Sequence, residues 1–178
     1  LDGNKLNVNG TIDFATTSPG LALQLAAAGI DIASLAGSKA SVSGLLSFQA
    51  DVTGTLAKTL ARGVFKLPAG QLDANPLTDG EGSFSYAGEV LTIQNATLKA
   101  LGGALAISGT MEPQTSRYNL KVSGQNVDGA ILTNQGVTGR MSFEATVSGA
   151  ADASSMTASG VFSLPSAKIS DYDISNAT

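Results

Sequence analysis

Apolar and polar residues alternate with a period of two along most of the chain. Leu46, Phe48, Ala50 and Val52 fall on one side of the pattern, and Ser47, Gln49, Asp51 and Thr53 on the other. Met141, Phe143, Ala145 and Val147 stand against Ser142, Glu144, Thr146 and Ser148 in the same way. Leu6, Val8 and Ile12 oppose Asn7, Asn9, Thr11 and Asp13, and Leu120 and Val122 oppose Asn119, Lys121 and Ser123. Successive side chains of a strand point to opposite faces, so this alternation predicts strands with one wet and one apolar face. Extended along the chain, it also places Leu23, Leu25, Phe65, Leu67, Phe84, Leu91, Ile93, Leu105, Ile107, Phe162 and Leu164 on the apolar face.

The stretch from Leu21 to Leu35 has two readings. Its Ala and Leu content favours a helix; the alternation of Leu21, Leu23 and Leu25 favours a strand. No segment reads clearly as an amphipathic helix. A hairpin is predicted to turn at Ala87-Gly88 and another at Leu101-Gly-Gly-Ala104, while Ser18-Pro-Gly20, Asn75-Pro76 and Glu112-Pro-Gln-Thr115 carry loop chemistry. Links this short join antiparallel neighbours, because a parallel crossover needs about a dozen residues or more. Gly10, Gly54, Gly109, Gly124 and Gly149 recur near strand ends, where glycine marks bends and bulges.

The pattern is written twice. Val42-Ser-Gly-Leu-Leu-Ser-Phe-Gln-Ala-Asp-Val-Thr-Gly54 returns as Val137-Thr-Gly-Arg-Met-Ser-Phe-Glu-Ala-Thr-Val-Ser-Gly149. Gly63-Val-Phe-Lys-Leu-Pro68 returns as Gly160-Val-Phe-Ser-Leu-Pro165, and Leu6-Asn-Val-Asn-Gly-Thr-Ile12 as Leu105-Ala-Ile-Ser-Gly-Thr-Met111. Ile30-Asp31 matches Val127-Asp128 more loosely, and Ile93-Gln-Asn-Ala-Thr97 reads as a match to Ile174-Ser-Asn-Ala-Thr178. Matches in the same order mean one structural unit in tandem. The units run over residues 5–100 and 104–178, in one repeat-built segment over 1–178. Leu1 aligns near Ala100, and the second unit stops where the first continues, which leads to the expectation of a slice from a longer array.

The apolar fraction of 43% and the charged fraction of 13% are those of a chain that folds. With no Cys and no His, thiol or His-based nucleophilic catalysis and thiolate metal sites are excluded. A net charge of −4 with scattered acids lacks the basic stripe that nucleic acid requires. No apolar run is long enough for a transmembrane helix.

One-sided strands must hide their apolar face. A sandwich of two sheets, a closed barrel, or a trough holding something apolar would each do so. The predicted class is therefore all-β: tandem antiparallel units in a tall, curved, U-shaped sheet with an apolar concave groove, the sandwich remaining open as an alternative.

Certain phrases are characteristic. Leu105-Ala-Ile-Ser-Gly-Thr110 has the form apolar-x-apolar-x-Gly-Thr. In Asn95-Ala-Thr-Leu-Lys-Ala-Leu-Gly-Gly-Ala-Leu105 a strand meets a glycine pair and returns, and Gly63-Val-Phe-Lys-Leu-Pro-Ala-Gly-Gln-Leu72 is of the same style. Together they resemble the AsmA-like and TamB family of diderm bacteria. The resemblance implies a periplasmic β-groove belonging to a protein anchored in the inner membrane. Such a groove holds or conducts phospholipid between the membranes in support of outer-membrane biogenesis. It implies phospholipid acyl chains as ligand, lying against the alternating apolar positions, with Asp51 and Glu144 outside. It also implies contact with a TamA-like or BamA-like outer-membrane protein through other parts of the molecule, and assistance to client β-strands. It brings no catalytic motif and no cofactor.

Other chemistry is thin. Asp171 and Asp173 flank Tyr172 as a solvated strand end would, and Asp128-Gly129 and Asp79-Gly-Glu81 lack the ligand spacing of a calcium loop. Gly102-Gly103 is a turn without a phosphate-loop context, and the sequons at Asn95 and Asn176 read as strand-end chemistry. Three functions remain: a lipid-holding groove, a chaperone-like module that takes up client strands at its edges, and a passive structural β-sandwich repeat. None is an enzyme.

Overall fold

A computed structural model of the protein describes residues 5–15, 17–33, 41–133, 137–150, 155–169 and 172–177. Leu1, Leu35, Asp171 and Thr178, which enter the sequence readings above, lie outside them. Alternation translates into eleven strands in one sheet, ordered along it as they are along the chain. They are β1 (Lys5–Asp13), β2 (Gly20–Asp31), β3 (Val42–Thr55), β4 (Lys58–Leu72), β5 (Asn75–Ala87) and β6 (Val90–Ala100). Then follow β7 (Gly103–Glu112), β8 (Arg117–Asp128), β9 (Val137–Gly149), β10 (Thr157–Ile169) and β11 (Tyr172–Ala177). All neighbours are antiparallel. The fold is all-β, and the stretch after Gly20 is strand, in line with its alternation. One helical turn, α1 (Gly129–Thr133), follows β8, where the Asp128 carboxylate accepts the Ala130 N–H at 3.0 Å. Asp31 caps Ala33 in the same way, also at 3.0 Å.

Two-residue links reverse the chain between β3 and β4, β4 and β5, β5 and β6, and β6 and β7. Gly88 and Glu89, both at positive φ, close the β5–β6 hairpin, one residue beyond the predicted turn; Leu101 and Gly102, also both at positive φ, close the next. Positive φ at both central positions matches the right-handed twist of the flanking strands.

The sheet is open. β1 and β11 are its edges, and strand-to-strand contact is concentrated between sequence neighbours. An up-and-down sheet with eleven strands has β1 and β11 running the same way, so they cannot close a barrel by antiparallel pairing. Among the described residues there is no second sheet.

Pairing registers repeat strand by strand. Gly10 lies opposite Leu23 and Gly109 opposite Leu120. Leu23 then faces Val52 as Leu120 faces Val147, and Phe48 faces Phe65 as Phe143 faces Phe162. β1 to β4 thus correspond to β7 to β10. Gly70 pairs with Leu77, and Ala167 with Ile174, which makes β11 the counterpart of β5. This corrects the match of Ile93–Thr97 to Ile174–Thr178, which would have equated β11 with β6. Five residues of shared strand chemistry are weaker than register, which the paired neighbour fixes. β6 therefore has no counterpart among the described strands.

Arg140 marks a difference between the copies. Its Nη1 donates to the carbonyl oxygens of Gly102, at 2.7 Å, and Asn126, at 3.1 Å, tying the β6–β7 turn to the β8 bulge. Its counterpart in the first copy is Leu45, 60% exposed. Arg140→Leu, which restores the first copy's residue, is expected to cost about 1–2 kcal/mol for two partly exposed charge-assisted bonds. In a chain of this size that corresponds to a fall of roughly 2–8 °C in thermal midpoint. An unchanged midpoint in a calorimetric scan would show that the clasp contributes nothing.

Candidate functional site: an unpartnered apolar sheet face

Residues directly opposite in an antiparallel ladder share a face. Opposite pairs therefore trace one face across the sheet: Val8 to Leu25, Leu25 to Ala50, Ala50 to Gly63, Gly63 to Phe84, and Phe84 to Ile93. The trace continues from Ile93 to Gly109, Leu120 and Val147. The predicted apolar positions all belong to it. Leu6, Val8 and Ile12 supply it from β1, Leu23 and Leu25 from β2, Leu46, Phe48 and Val52 from β3, and Phe65 and Leu67 from β4. Phe84 comes from β5, Leu91 and Ile93 from β6, Leu105 and Ile107 from β7, and Leu120 and Val122 from β8. Met141, Phe143 and Val147 of β9 and Phe162 and Leu164 of β10 complete it. By register no described Asp, Glu, Lys or Arg stands on this face; Asp51 is opposite Arg62 on the other.

Alternation alone misses several residues of the face because the strands carry bulges. Register slips between Ala27 and Ile30, between Ile93 and Ala96, and between Gly124 and Val127. Further slips lie between Gly44 and Ser47, Thr78 and Glu81, and Ser163 and Ser166. Two residues then oppose one, the strand bends, and the parity of the following residues switches. Val127 and Leu77 are brought in this way to the apolar side, where strict alternation would send them out. Asx residues mark these places: Asn126 and Asp79 take positive φ, which Asn and Asp tolerate better than other residues with a β-carbon. That signal was present in the sequence.

The deepest burial follows the bulges. Ala27, Leu77, Ala96, Ala100, Val127, Met141 and Leu164 are buried, and Val127, Met141 and Leu164 form a cluster against which Leu101, Leu105 and Phe143 pack. Ala50 and Val52 are buried further along β3. Alanine gives a like-for-like comparison of the two faces. Ala27, Ala50 and Ala96 are buried on the apolar face, whereas Ala22, Ala104 and Ala106 are exposed on the polar one. The deep burial in the strands thus falls on one face only. The remaining apolar side chains are half-buried, except Phe162 and those of β1, which are exposed.

Aromatic rings lie down on glycines. A β-carbon at Gly82 would come 2.6 Å from Cζ of Phe65, one at Gly63 would come 2.7 Å from Cζ of Phe84, and one at Gly124 would collide with the Phe143 ring. Each ring occupies the space of its cross-strand partner's missing side chain. Phe84 also meets Phe48 edge-on over β4, ring centroids 6.4 Å apart at 80°. The result is a low floor with little relief.

Depressions occur on the polar face. One of about 700 Å³ has Ser108, Lys121, Ser123, Glu144, Thr146 and Ser159 among its lining. No cluster of metal-ligating residues occurs among the described residues. On this face Lys99 and Asp79 form an exposed ion pair at 2.7 Å. The hydrogen bond to Asp79, and its charge, hold Lys99 above the usual lysine pKa. No described helix is long and apolar enough to cross a membrane.

Comparison with protein families, curated proteins and solved structures finds no match to this chain.

Proposed function

We propose that the apolar face is a groove that holds a phospholipid by its acyl chains and lets it move along the sheet. The observation that carries this reading is a charge-free apolar face continuous across ten strands, β1 to β10, with nothing packed over it among the described residues. Neighbouring strands are about 4.8 Å apart, so the face extends over roughly 50 Å. At about 0.8 kcal/mol per buried methylene, a chain of about sixteen carbons gains at most about 12 kcal/mol, less the cost of ordering it. Rings lying flat over glycines leave no deep notch to trap a chain, and the bulges fold the sheet around it. The headgroup stays in water at the open side.

The phrases that resemble the AsmA-like and TamB family support the same reading. On that resemblance we read the groove as periplasmic, a section of an inner-membrane-anchored protein that serves outer-membrane biogenesis. Incubation with vesicles carrying a fluorescent phospholipid tests the binding step. The protein, recovered free of vesicles, is expected to carry the label. Recovery without label would sink the proposal.

A further inference from the structure

From β5 to β9 the two margins of the apolar face differ. One margin carries the β5–β6 and β7–β8 links; the other carries the β6–β7 turn and α1. At the second, Leu77, Ala100, Val127 and Met141 are buried, and Leu101 of the turn packs against the Val127 cluster. The backbone is knitted there as well. The Asp128 N–H donates to the Leu101 carbonyl at 2.8 Å, and Arg140 clasps the same turn. At the first margin the register runs from Tyr86 to Leu91, Met111, Tyr118 and Gly149, strand by strand. The four side chains of that row are half-buried. The link beyond it, Pro113-Gln-Thr-Ser116, is exposed, and the Thr115 hydroxyl donates to the Glu112 carboxylate at 2.8 Å.

Tyrosine suits a boundary, since its ring is apolar and its hydroxyl needs water or another polar partner. Two of the chain's three tyrosines stand in this one row, three strands or about 14 Å apart. Tyr118 lies over Gly149, the last residue of β9, where a β-carbon would come 2.7 Å from its Oη. Neither hydroxyl has a hydrogen-bond partner among the described residues. Two strands thus run from a free hydroxyl to a buried aliphatic side chain: β5 from Tyr86 to Leu77, and β8 from Tyr118 to Val127. Either path is about 30 Å at about 3.3 Å per residue. The tails of one bilayer leaflet fill about 15 Å, half the hydrocarbon thickness, so a tail lying along the strands fits between the margins.

We infer that a bound phospholipid lies along the strands, its polar end at the tyrosine margin and its tails pointing to the margin at Leu77, Ala100 and Val127. The inference rests on the lipid-holding reading and adds to it an orientation and two polar contacts. The Tyr86 and Tyr118 hydroxyls donate to the phosphate and ester oxygens at the lipid's polar end. The reverse orientation would press a charged phosphate against Val127, which is wholly buried, and strip its water without a partner. Movement along the sheet is then sideways, each tail passing from strand to strand while the headgroup stays at the wet margin.

Two phosphatidylcholines locate the ends, one with a photoreactive diazirine on its headgroup and one with it at the tip of an acyl chain. Illuminated on the whole chain, the headgroup probe is expected to label Tyr86, Leu91, Met111 and Tyr118, and the tail probe Leu77, Ala100 and Val127. Tyr86→Phe combined with Tyr118→Phe keeps both rings and removes both hydroxyls. It is expected to weaken retention of phosphatidylcholine by about fivefold or more and to leave that of radiolabelled hexadecane, which has no polar end, unchanged. Labelling with the margins exchanged, or even at both, would overturn the orientation and leave lipid holding intact. So would a double variant that holds phosphatidylcholine like the native chain, or loses it and hexadecane alike, overturn the hydroxyl contacts. A native chain that holds no phosphatidylcholine removes the groove reading and this inference together.

Discussion

Phospholipid retention is expected to fall by about tenfold or more when Val147→Asp and Phe162→Asp are combined, with the sheet still folded. Both residues stand on the apolar face. Val147 lies opposite Leu120, and Phe162 opposite Phe143 and 48% exposed. A carboxylate there must keep its water, and an acyl chain lying across it loses its apolar contact at that point. Phe143 is the less suitable target, although it is central to the row. It packs against Val127, Met141 and Leu164, so Phe143→Asp removes part of the main cluster and costs about 3 kcal/mol or more in stability. Circular dichroism separates the two effects: the double variant keeps its β signal and loses lipid. If it keeps both, the lipid does not lie along β9 and β10. The matching charge pair on the polar face, Ser142→Asp with Thr146→Asp, is expected to leave retention unchanged.

Substituting valine for one glycine in each copy should have very different consequences. Gly109 and Gly10 both sit at positive φ, and a β-carbon at either would run into the carbonyl oxygen of the strand behind, that of Asn119 or of Ala22. The local clash is the same. Gly109 is in mid-sheet, held between β6 and β8, so Gly109→Val must be absorbed by moving two ladders. The expected cost is about 3 kcal/mol or more, the sum of backbone strain and overpacking. Gly10 is in an edge strand, and Gly10→Val is relieved by peeling β1 away. Strands that contact only their neighbours behave as a quasi-one-dimensional array, in which end units fray alone. Amide exchange reads this directly. Gly109→Val loses protection across β6 to β8, while Gly10→Val loses it in β1 and along the facing side of β2. Equal loss of global stability in the two variants would show that the sheet unfolds as one block.

Much of the face was legible in the sequence, because alternation is a local signal and every predicted lining residue lies on it. Leu46 and Phe48, or Met141 and Phe143, needed no knowledge of their neighbours. Val127, Leu77 and Ala96 were harder. A bulge adds one residue and inverts the pattern beyond it, so these positions read as outward until Asn126, Asp79 and the Gln94-Asn95 pair are recognised as the places where the chain slips. Phe143 over Gly124, and Phe84 over Gly63, were illegible for another reason. Each is a cross-strand pair, and nothing local tells a glycine which ring will cover it. The correspondence of β11 went wrong on the same account: Ile174-Ser-Asn-Ala resembles Ile93-Gln-Asn-Ala, but the pairing of Ala167 with Ile174 decides its place. The barrel alternative fell because β1 and β11 do not pair, which leaves the sheet open.

Gentle-ionisation mass spectrometry of the purified chain, followed by extraction and identification of whatever it carries, tests the central claim most directly. The account predicts phospholipid bound to the native protein and absent from the Val147→Asp, Phe162→Asp variant. A folded native protein that stays free of lipid, even after incubation with phospholipid vesicles, would contradict it.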